Sequence, residues 1–544
     1  MTLPRPAVSR RDAPCQRPGR LSVLASVSAS VLATVLVAAP VSLGVAQVAR
    51  AQPSLPSLGD AAAEDLTVGA ERRLGDRILR EIRRDPDWLD DPVLQDYLNS
   101  LWQPLLAAAR ARGDLSDDQQ AHFALQTFLV RDRSVNAFAL PGGYVGVHLG
   151  LIALTTSRDE LAAVLAHELS HITQRHIARN IASSRRQSML GVASMIVGVL
   201  AASRSQNADA ANAVIVGGQA AAVQGQLNFS RDMEREADRV GFGVLDAAGY
   251  APEGMAGMFD RLQFASRLND SGQFPYLRTH PLTSERIAEA RGRLGVVTDR
   301  KGGPVAAQWL HAAMQGRARA MMDGRTQTLT RLAGGGVPTA AAAAQTPEAL
   351  ATACAAAVAA TRLKDVRVAD AALARARGLA APQGEAVVRA VQVLQVESLL
   401  ERGQSAEAAR VLSSAVLDGS RAGLLLGARL AALPGSEATL VSRTREDLQT
   451  WVALHADDAG AWLALAQVNE RQGAPLAALR AHAEARFAQG DLVGAADRLR
   501  AGQRLARSNG AVESMEGVII ESRLKAIEQQ RRVEMEQERS GQRD

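Results

Sequence analysis

Aromatic side chains are scarce in this 544-residue chain, at 3% of the total, while alanine is abundant. That balance favours closely packed helices over extensive sheets. Cysteine is nearly absent. Cys15 falls in an N-terminal leader and Cys354 stands alone, so no disulfide can form within the rest of the chain. A core of this size holds without one. An excess of one charge is also lacking. Six of the 62 basic and one of the 57 acidic residues lie in residues 1–51, which leaves 56 of each. The net charge of +5 belongs to the leader, and it gives no support to nucleic-acid binding.

Long apolar runs are confined to a few places. The leader has a basic stretch with Arg5, Arg10, Arg11, Arg17 and Arg20, an uncharged run from Leu21 to Ala39, and Ala49-Arg50-Ala51. This is the pattern of a signal peptide cleaved before Gln52, and an uncleaved anchor is the alternative. Cys15 precedes the apolar run, unlike a lipoprotein cysteine. Within residues 187–226, Met189 to Ala202 is apolar or small over 14 residues. As a helix it would span about 21 Å, short of the ~30 Å of a bilayer core. It reads as a helical hairpin, or as an apolar flap making at most peripheral membrane contact.

Among what is present, residues 69–112 show helical periodicity, with Leu74, Ile78, Leu79 and Ile82 as the inward stripe. Residues 124–151 alternate and carry the turn signal Pro141-Gly142-Gly143, which predicts strands. Tyr144, Val145, Gly146 and Val147 read either as an ordinary strand or as an edge strand to which an extended peptide adds, with Gly146 admitting a second backbone. Helices are expected over 161–176, over about 228–247 and from near Pro281. A Gly-, Pro- and Ala-rich stretch over 324–346 marks a boundary. Beyond it LLERGQSAEAARVL (399–412), NERQGAPLAALRA (469–481) and RFAQGDLVGAADRL (486–499) repeat a helix–turn–helix cadence. Gly403 and Gly473 are separated by about two tetratricopeptide periods. A generic helical bundle is the alternative.

The chemistry is concentrated in LAAVLAHELSHITQRH (161–176). His167-Glu168-Leu169-Ser170-His171 is an H-E-x-x-H pattern in a run without Gly or Pro. Residues four apart share a helix face, so both imidazoles can address one ion while Glu168 reaches a water beside it. His176, nine residues after His167, falls about 180° away on a continuous helix and reads as a surface or packing histidine. The H-x-x-G-x-x-H continuation of one peptidase class is missing, because Gln174 and Ile177 occupy its positions. Asp, Glu, His and Cys are all absent between His176 and Asp209, which removes the spacing of another class. In NFSRDMEREADRVGFGVL (228–245), Glu234 and Asp238 share a face and Glu236 lies on the far side. Glu234 is the better third ligand. Asp238 is placed to hold a ligand histidine by its other ring N–H.

HELSH, EREAD, RTHPLTSERI (278–287) and NAFALPGGYVGVHLGL (136–151), taken together, resemble peptidase family forty-eight of the metallopeptidases, which includes the CAAX prenyl proteases. The resemblance implies an α+β, mostly α fold. A zincin-type metalloprotease domain with a small β-sheet (52–300) would follow the leader (1–51). A connecting segment (301–345), an α-solenoid of tetratricopeptide type (346–520) and a charged tail (521–544) would complete the chain. It implies one zinc ion on His167, His171 and Glu234, with Glu168 activating water. Asp238 matches a position often assigned as a proton donor. His280 would be a latch on the metal, or else a loop histidine capping the helix after Pro281. The implied function is periplasmic hydrolysis of unfolded or misassembled outer-membrane proteins. The helical repeats would recruit clients or the outer-membrane β-barrel assembly machinery. A scaffold with latent protease activity is the competing reading.

Overall fold

The computed structural model describes residues 66–183, 231–268, 274–295, 305–335, 345–412 and 419–541. The leader and the apolar stretch 187–226 lie outside the described residues. What is described is mostly helical, with one four-stranded sheet. The first helix, α1 (Val68–Arg83), is capped by the Thr67 hydroxyl, which accepts from the Ala70 N–H. Its stripe of Leu74, Ile78, Leu79 and Ile82 is buried against Phe128, Val130, Leu140 and Tyr144 on one face of the sheet. The helical periodicity does not run through to residue 112 in one piece. Trp88–Leu89 forms the short strand β1, and α2 (Pro92–Arg112) then starts afresh, with Asp91 as its N-cap and Pro92 in the first turn. A short helix α3 (Asp117–His122) leads into the sheet.

Strands β2 (Gln126–Val130), β3 (Ala137–Leu140) and β4 (Tyr144–His148) join β1 in the order β1-β2-β4-β3. β4 pairs with β2 in parallel, Gln126 opposite Tyr144, and with β3 antiparallel, Ala137 opposite Val147. Tyr144, Val145, Gly146 and Val147 are therefore not an edge strand open to a peptide. Both ladders of β4 are taken and all its residues are buried. Sequence alternation shows which faces a strand buries, but not its neighbours, and among the described residues the edge strands are β1 and β3. Gly146 has a different task as well. A Cβ there would stand 2.4 Å from the Phe138 ring and 2.8 Å from Phe128, so the glycine makes room for two aromatic side chains rather than for a second backbone.

After α4 (Leu149–Leu154), the sheet's other face packs on α5 (Arg158–Thr173). Ser157 caps α5, and Asp159 and Glu160 lie in its first turn, where the helix dipole favours anions. α6 (His176–Ser183), α7 (Arg231–Ala247), α8 (Glu253–Leu268), α9 (Pro275–Thr279) and α10 (Ser284–Leu294) surround α5. The connection read over 301–345 holds α11 (Val305–Met321) and α12 (Thr326–Gly335). α11 is core: Trp309, Ala313, Met314 and Ala318 are buried, and it packs on α4 and on α13 (Pro347–Arg362).

The chain continues as α14 (Val366–Ala380), α15 (Glu385–Glu401), α16 (Ser405–Val411), α17 (Arg421–Ala431), α18 (Ala438–Leu454), α19 (Ala459–Arg471), α20 (Pro475–Ala488), α21 (Leu492–Ser508) and α22 (Met515–Gly541). From α13 onward each helix packs on the next. The three segments of repeated cadence fall on equivalent turns, with Gly403, Gly473 and Gly490 all in the left-handed region between helices. No described helix is long and apolar enough to cross a membrane.

α7 approaches α5 most closely at Gly241. A Cβ there would stand 3.1 Å from the Ala166 carbonyl oxygen and 3.2 Å from His167 Cα. Gly241→Leu is expected to wedge the two helices apart and to destabilise the protein by about 1–3 kcal/mol. A thermal unfolding midpoint equal to the wild type would show that this contact is not tight in solution.

Candidate metal centre

α5 carries His167, Glu168 and His171 on its last turns, and every residue from Asp159 to Thr173 is buried. The apolar LAAVLA segment drives that burial and takes the polar residues with it. His167 Nε2 and His171 Nε2 stand 3.0 Å apart. α7 crosses α5 at Gly241 and brings Glu234, whose Oε2 lies 3.6 Å from His167 Nε2 and whose Oε1 lies 3.6 Å from His171 Nε2. His280, just after α9, places Nδ1 3.1 Å from Glu234 Oε1 and 3.4 Å from His167 Nε2. One ligand atom from each of His167, His171, Glu234 and His280 falls within a 4.8 Å span. The ring of Tyr276 lies against His280, centroids 4.6 Å apart, and the Tyr276 carbonyl accepts from the His280 N–H.

Glu168 points to what the cluster is for. It is fully buried, and among the described residues neither carboxylate oxygen has a hydrogen-bond partner; His280 Nε2, at 3.5 Å from Oε1, is too far for a good one. A buried carboxylate without a partner is costly, and a dication beside it offsets that cost. Of the three imidazoles and one carboxylate that converge here, the His167, His171 and Glu234 set of nitrogen and oxygen donors fits one zinc ion.

Asp238 lies outside the four-residue cluster. Its Oδ1 is 2.9 Å from His167 Nδ1. Arg286, on α10, grips both Asp238 oxygens, with Nε donating to Oδ2 at 2.6 Å and Nη2 to Oδ1 at 2.8 Å, while its Nη1 lies 2.9 Å from Glu234 Oε2. Burial alone would raise the Asp238 pKa, but Arg286 and His167 hold it below the usual carboxylate range. Burial would likewise raise Glu234; His280 and His167 keep it far below. For His167 burial pulls the pKa down, but the bonds to Asp238 and Glu234 outweigh it and bring it to about 9. His171 is driven well below its ordinary value by burial and by His167 next to it.

His176 is not where a continuous helix would put it. α5 stops at Thr173, Arg175 adopts φ +51°, and α6 begins at His176 in a new direction. The Arg175 guanidinium is held by Glu71 and by the Leu66 carbonyl, which fixes the break. His176 is thereby turned back and fully buried, with Nδ1 2.8 Å from His171 Nδ1 and Nε2 3.1 Å from Glu236 Oε2. It is a neighbour of a ligand rather than a surface histidine, and it is not one of the four clustered residues. Glu236 stays on the far side of α7 as expected, bound by Arg179 Nη1 at 2.8 Å. Sequence reasoning gave Arg286 no role. It stands inside RTHPLTSERI, six residues after His280, and that spacing was the available signal. An apolar pocket opens beside His167, lined by Val164, Met255, Met258, Phe259, Leu262 and Tyr276.

A helix bearing H-E-x-x-H, a glutamate from the helix that crosses it and a buried lone carboxylate between them define a metallopeptidase-type metal centre. Residues 105–294 match the model of Peptidase family M48, and the chain carries a domain of that family. It is 38% identical over 241 residues to a putative beta-barrel assembly-enhancing protease of Vibrio cholerae, covering 44% of this chain and 47% of that one. It is 33% identical over 264 residues to the beta-barrel assembly-enhancing protease of Escherichia coli, covering 48% and 52%. The mitochondrial metalloendopeptidase OMA1 of Schizosaccharomyces pombe is 34% identical over 159 residues, covering 29% and 43%. The chain thus spans about half the length of the first two relatives.

Arg286→Lys keeps the charge but loses the planar fork that grips Asp238 and Glu234. It is expected to leave the protein folded and to weaken zinc binding about tenfold. Arg286→Ala leaves two buried carboxylates short of a partner and is expected to cost about 3–5 kcal/mol. Chelator competition and thermal unfolding read the two effects. Unchanged zinc affinity in Arg286→Lys would show that the fork does not position the ligands.

Proposed function

We propose that the protein is an exported zinc metalloendopeptidase that hydrolyses unfolded or misassembled outer-membrane polypeptides. The observation that carries this reading is the fully buried Glu168, without a hydrogen bond among the described residues, beside His167, His171 and Glu234. In this reading those three residues hold the metal. A bound zinc ion supplies Lewis acidity, bringing the pKa of a water to about 7 and polarising the scissile carbonyl. Glu168 takes the proton from the attacking water and delivers it to the leaving amine. Asp238, already saturated by Arg286, orients His167 rather than donating a proton. An extended substrate adds to the free edge of β3, which packs on α5, instead of to β4.

His280 is the latch in this scheme. Its ring reaches Glu234, His167 and the side of Glu168, so it occupies the ground that water and substrate need. The periplasm as the site of action rests on the leader. The helices from α13 onward are proposed to be tetratricopeptide-like repeats that bind clients or the outer-membrane β-barrel assembly machinery. The likeness to beta-barrel assembly-enhancing proteases and the equivalent glycine turns support that part. The latch also favours a second reading, in which the repeats act as a scaffold and proteolysis is rare.

Casein cleavage by the purified protein, with bound metal quantified, tests the proposal. Zinc near one per chain is expected. Glu168→Gln is expected to lose about 100- to 10,000-fold in rate, and His280→Ala to cleave faster than the wild type. Bound zinc without cleavage by any variant would reject the peptidase reading. A cellular effect that survives Glu168→Gln would favour the scaffold.

A further inference from the structure

The environment of His171 contains more than its role as a ligand requires. A metal-binding histidine ordinarily donates its second ring N–H to a carboxylate, a carbonyl or a water. Here that nitrogen faces another imidazole, His176 Nδ1, at 2.8 Å. Two ring nitrogens at this distance share one proton, so its placement decides which nitrogen of His171 is left with a lone pair.

Behind His176 stands a carboxylate. His176 Nε2 is 3.1 Å from Glu236 Oε2, and the same oxygen accepts from Arg179 Nη1 at 2.8 Å. A carboxylate fixed by an arginine is an acceptor only. His176 therefore carries its proton on Nε2 and gives it to Glu236. Its Nδ1 is then an acceptor and takes the N–H of His171 Nδ1. The lone pair of His171 is left on Nε2, 3.0 Å from His167 Nε2 and 3.6 Å from Glu234 Oε1, facing the cluster. The opposite arrangement would point an N–H of His171 at the metal position and abolish it as a ligand. The break at Arg175 has its purpose here, since an unbroken helix would carry His176 away from His171.

We propose that His176 and Glu236 are positioning residues for the metal: Glu236, anchored by Arg179, fixes the tautomer of His176, and His176 fixes that of His171, so that a divalent metal finds a preset imidazole lone pair. His167 receives the same service from Asp238 and Arg286 along a separate route. The two ligand histidines are thus oriented by two chains of partners, each ending in an arginine-bound carboxylate.

The inference rests on the metal-site reading above, and zinc affinity of the full-length protein separates the two. Competition against a chromophoric chelator is the measurement, with metal and chelator alone as the probes. His176→Phe keeps a buried ring but offers no acceptor, and it is expected to lose about 10- to 100-fold in zinc affinity. His176→Asn restores an acceptor at the position of Nδ1 and is expected to recover most of that loss, which a purely steric role for His176 would not produce. Glu236 is a quarter exposed, so the folding of Glu236→Ala is not at stake; it is expected to weaken zinc about tenfold. In the double variant Glu236→Ala is expected to add nothing to His176→Phe, because the chain is already cut. Wild-type affinity in Glu236→Ala, or additive losses in the double variant, would overturn the proposal. A wild-type protein that binds no zinc would overturn the metal site itself.

Discussion

Eight ionisable side chains meet in one interior region: His167, Glu168, His171, His176, Glu234, Asp238, His280 and Arg286, each less than a tenth exposed. A protein interior accepts charge only where it is matched. Three carboxylates face one guanidinium, and a divalent ion on the lone pairs of unprotonated imidazoles would offset the two negative charges that remain. Everything nearby follows from that balance. Arg286 must reach two carboxylates at once, which fixes α10 against α7. α7 must lie close enough to α5 for Glu234 to meet both histidines, which leaves little room for a side chain at Gly241. The apolar residues of α5 make the region dry, and dryness makes the pairing compulsory.

This explains which parts of the centre were legible in the sequence. His167, Glu168 and His171 lie on one helix, and Glu234 and Asp238 on another, so a 3.6-residue period was enough to sort each set into faces. The sequence reading erred where geometry depended on a partner distant in the chain. His176 was misplaced because a helix was extrapolated through Gln174-Arg175, while the break there is set by Glu71 and the Leu66 carbonyl, about a hundred residues earlier. Arg286 went without a role because its partners Asp238 and Glu234 come from another helix. The sequence leaves β4 open between an ordinary strand and an edge strand for the same reason. Alternation sorted Tyr144 to one face and Val145 and Val147 to the other, and the structure agrees. Only the pairing in the sheet shows that β4 is an interior strand, with β1 and β3 at the edges.

The boundary between the metal-bearing part and the helical array shows a similar limit. Composition marked a break in 324–346, yet one hydrophobic core runs from Val68 to Leu394 across it. The joint is ionic as well. Arg317 on α11 grips the Asp91 carboxylate with Nε and Nη2 and also pairs with Glu397 on α15, at 2.8 Å for Nη2–Oε1. Arg421 on α17 lies between Asp90 and Asp458. Asp90 and Asp91 immediately precede α2, and Asp91 also caps it, its carboxylate accepting from the Leu94 N–H. The start of α2 is therefore a common anchor for both parts of the molecule.

That anchor bears on how the array can influence the metal centre. α2 packs on α5 and α7, the two helices that carry the ligands. Arg317 and Arg421 thus tie the array to the base of α2, which lies against the helices whose spacing sets the distance between Glu234 and the histidines. Alanine brings the helices of this join close together. Ala353, Ala355, Ala356 and Ala357 on α13 are buried at 2% exposure or less, and side chains this short let helices approach with little flexible material between them. The low aromatic content noted at the outset and the rigid join between array and metal centre are thus two expressions of one packing choice.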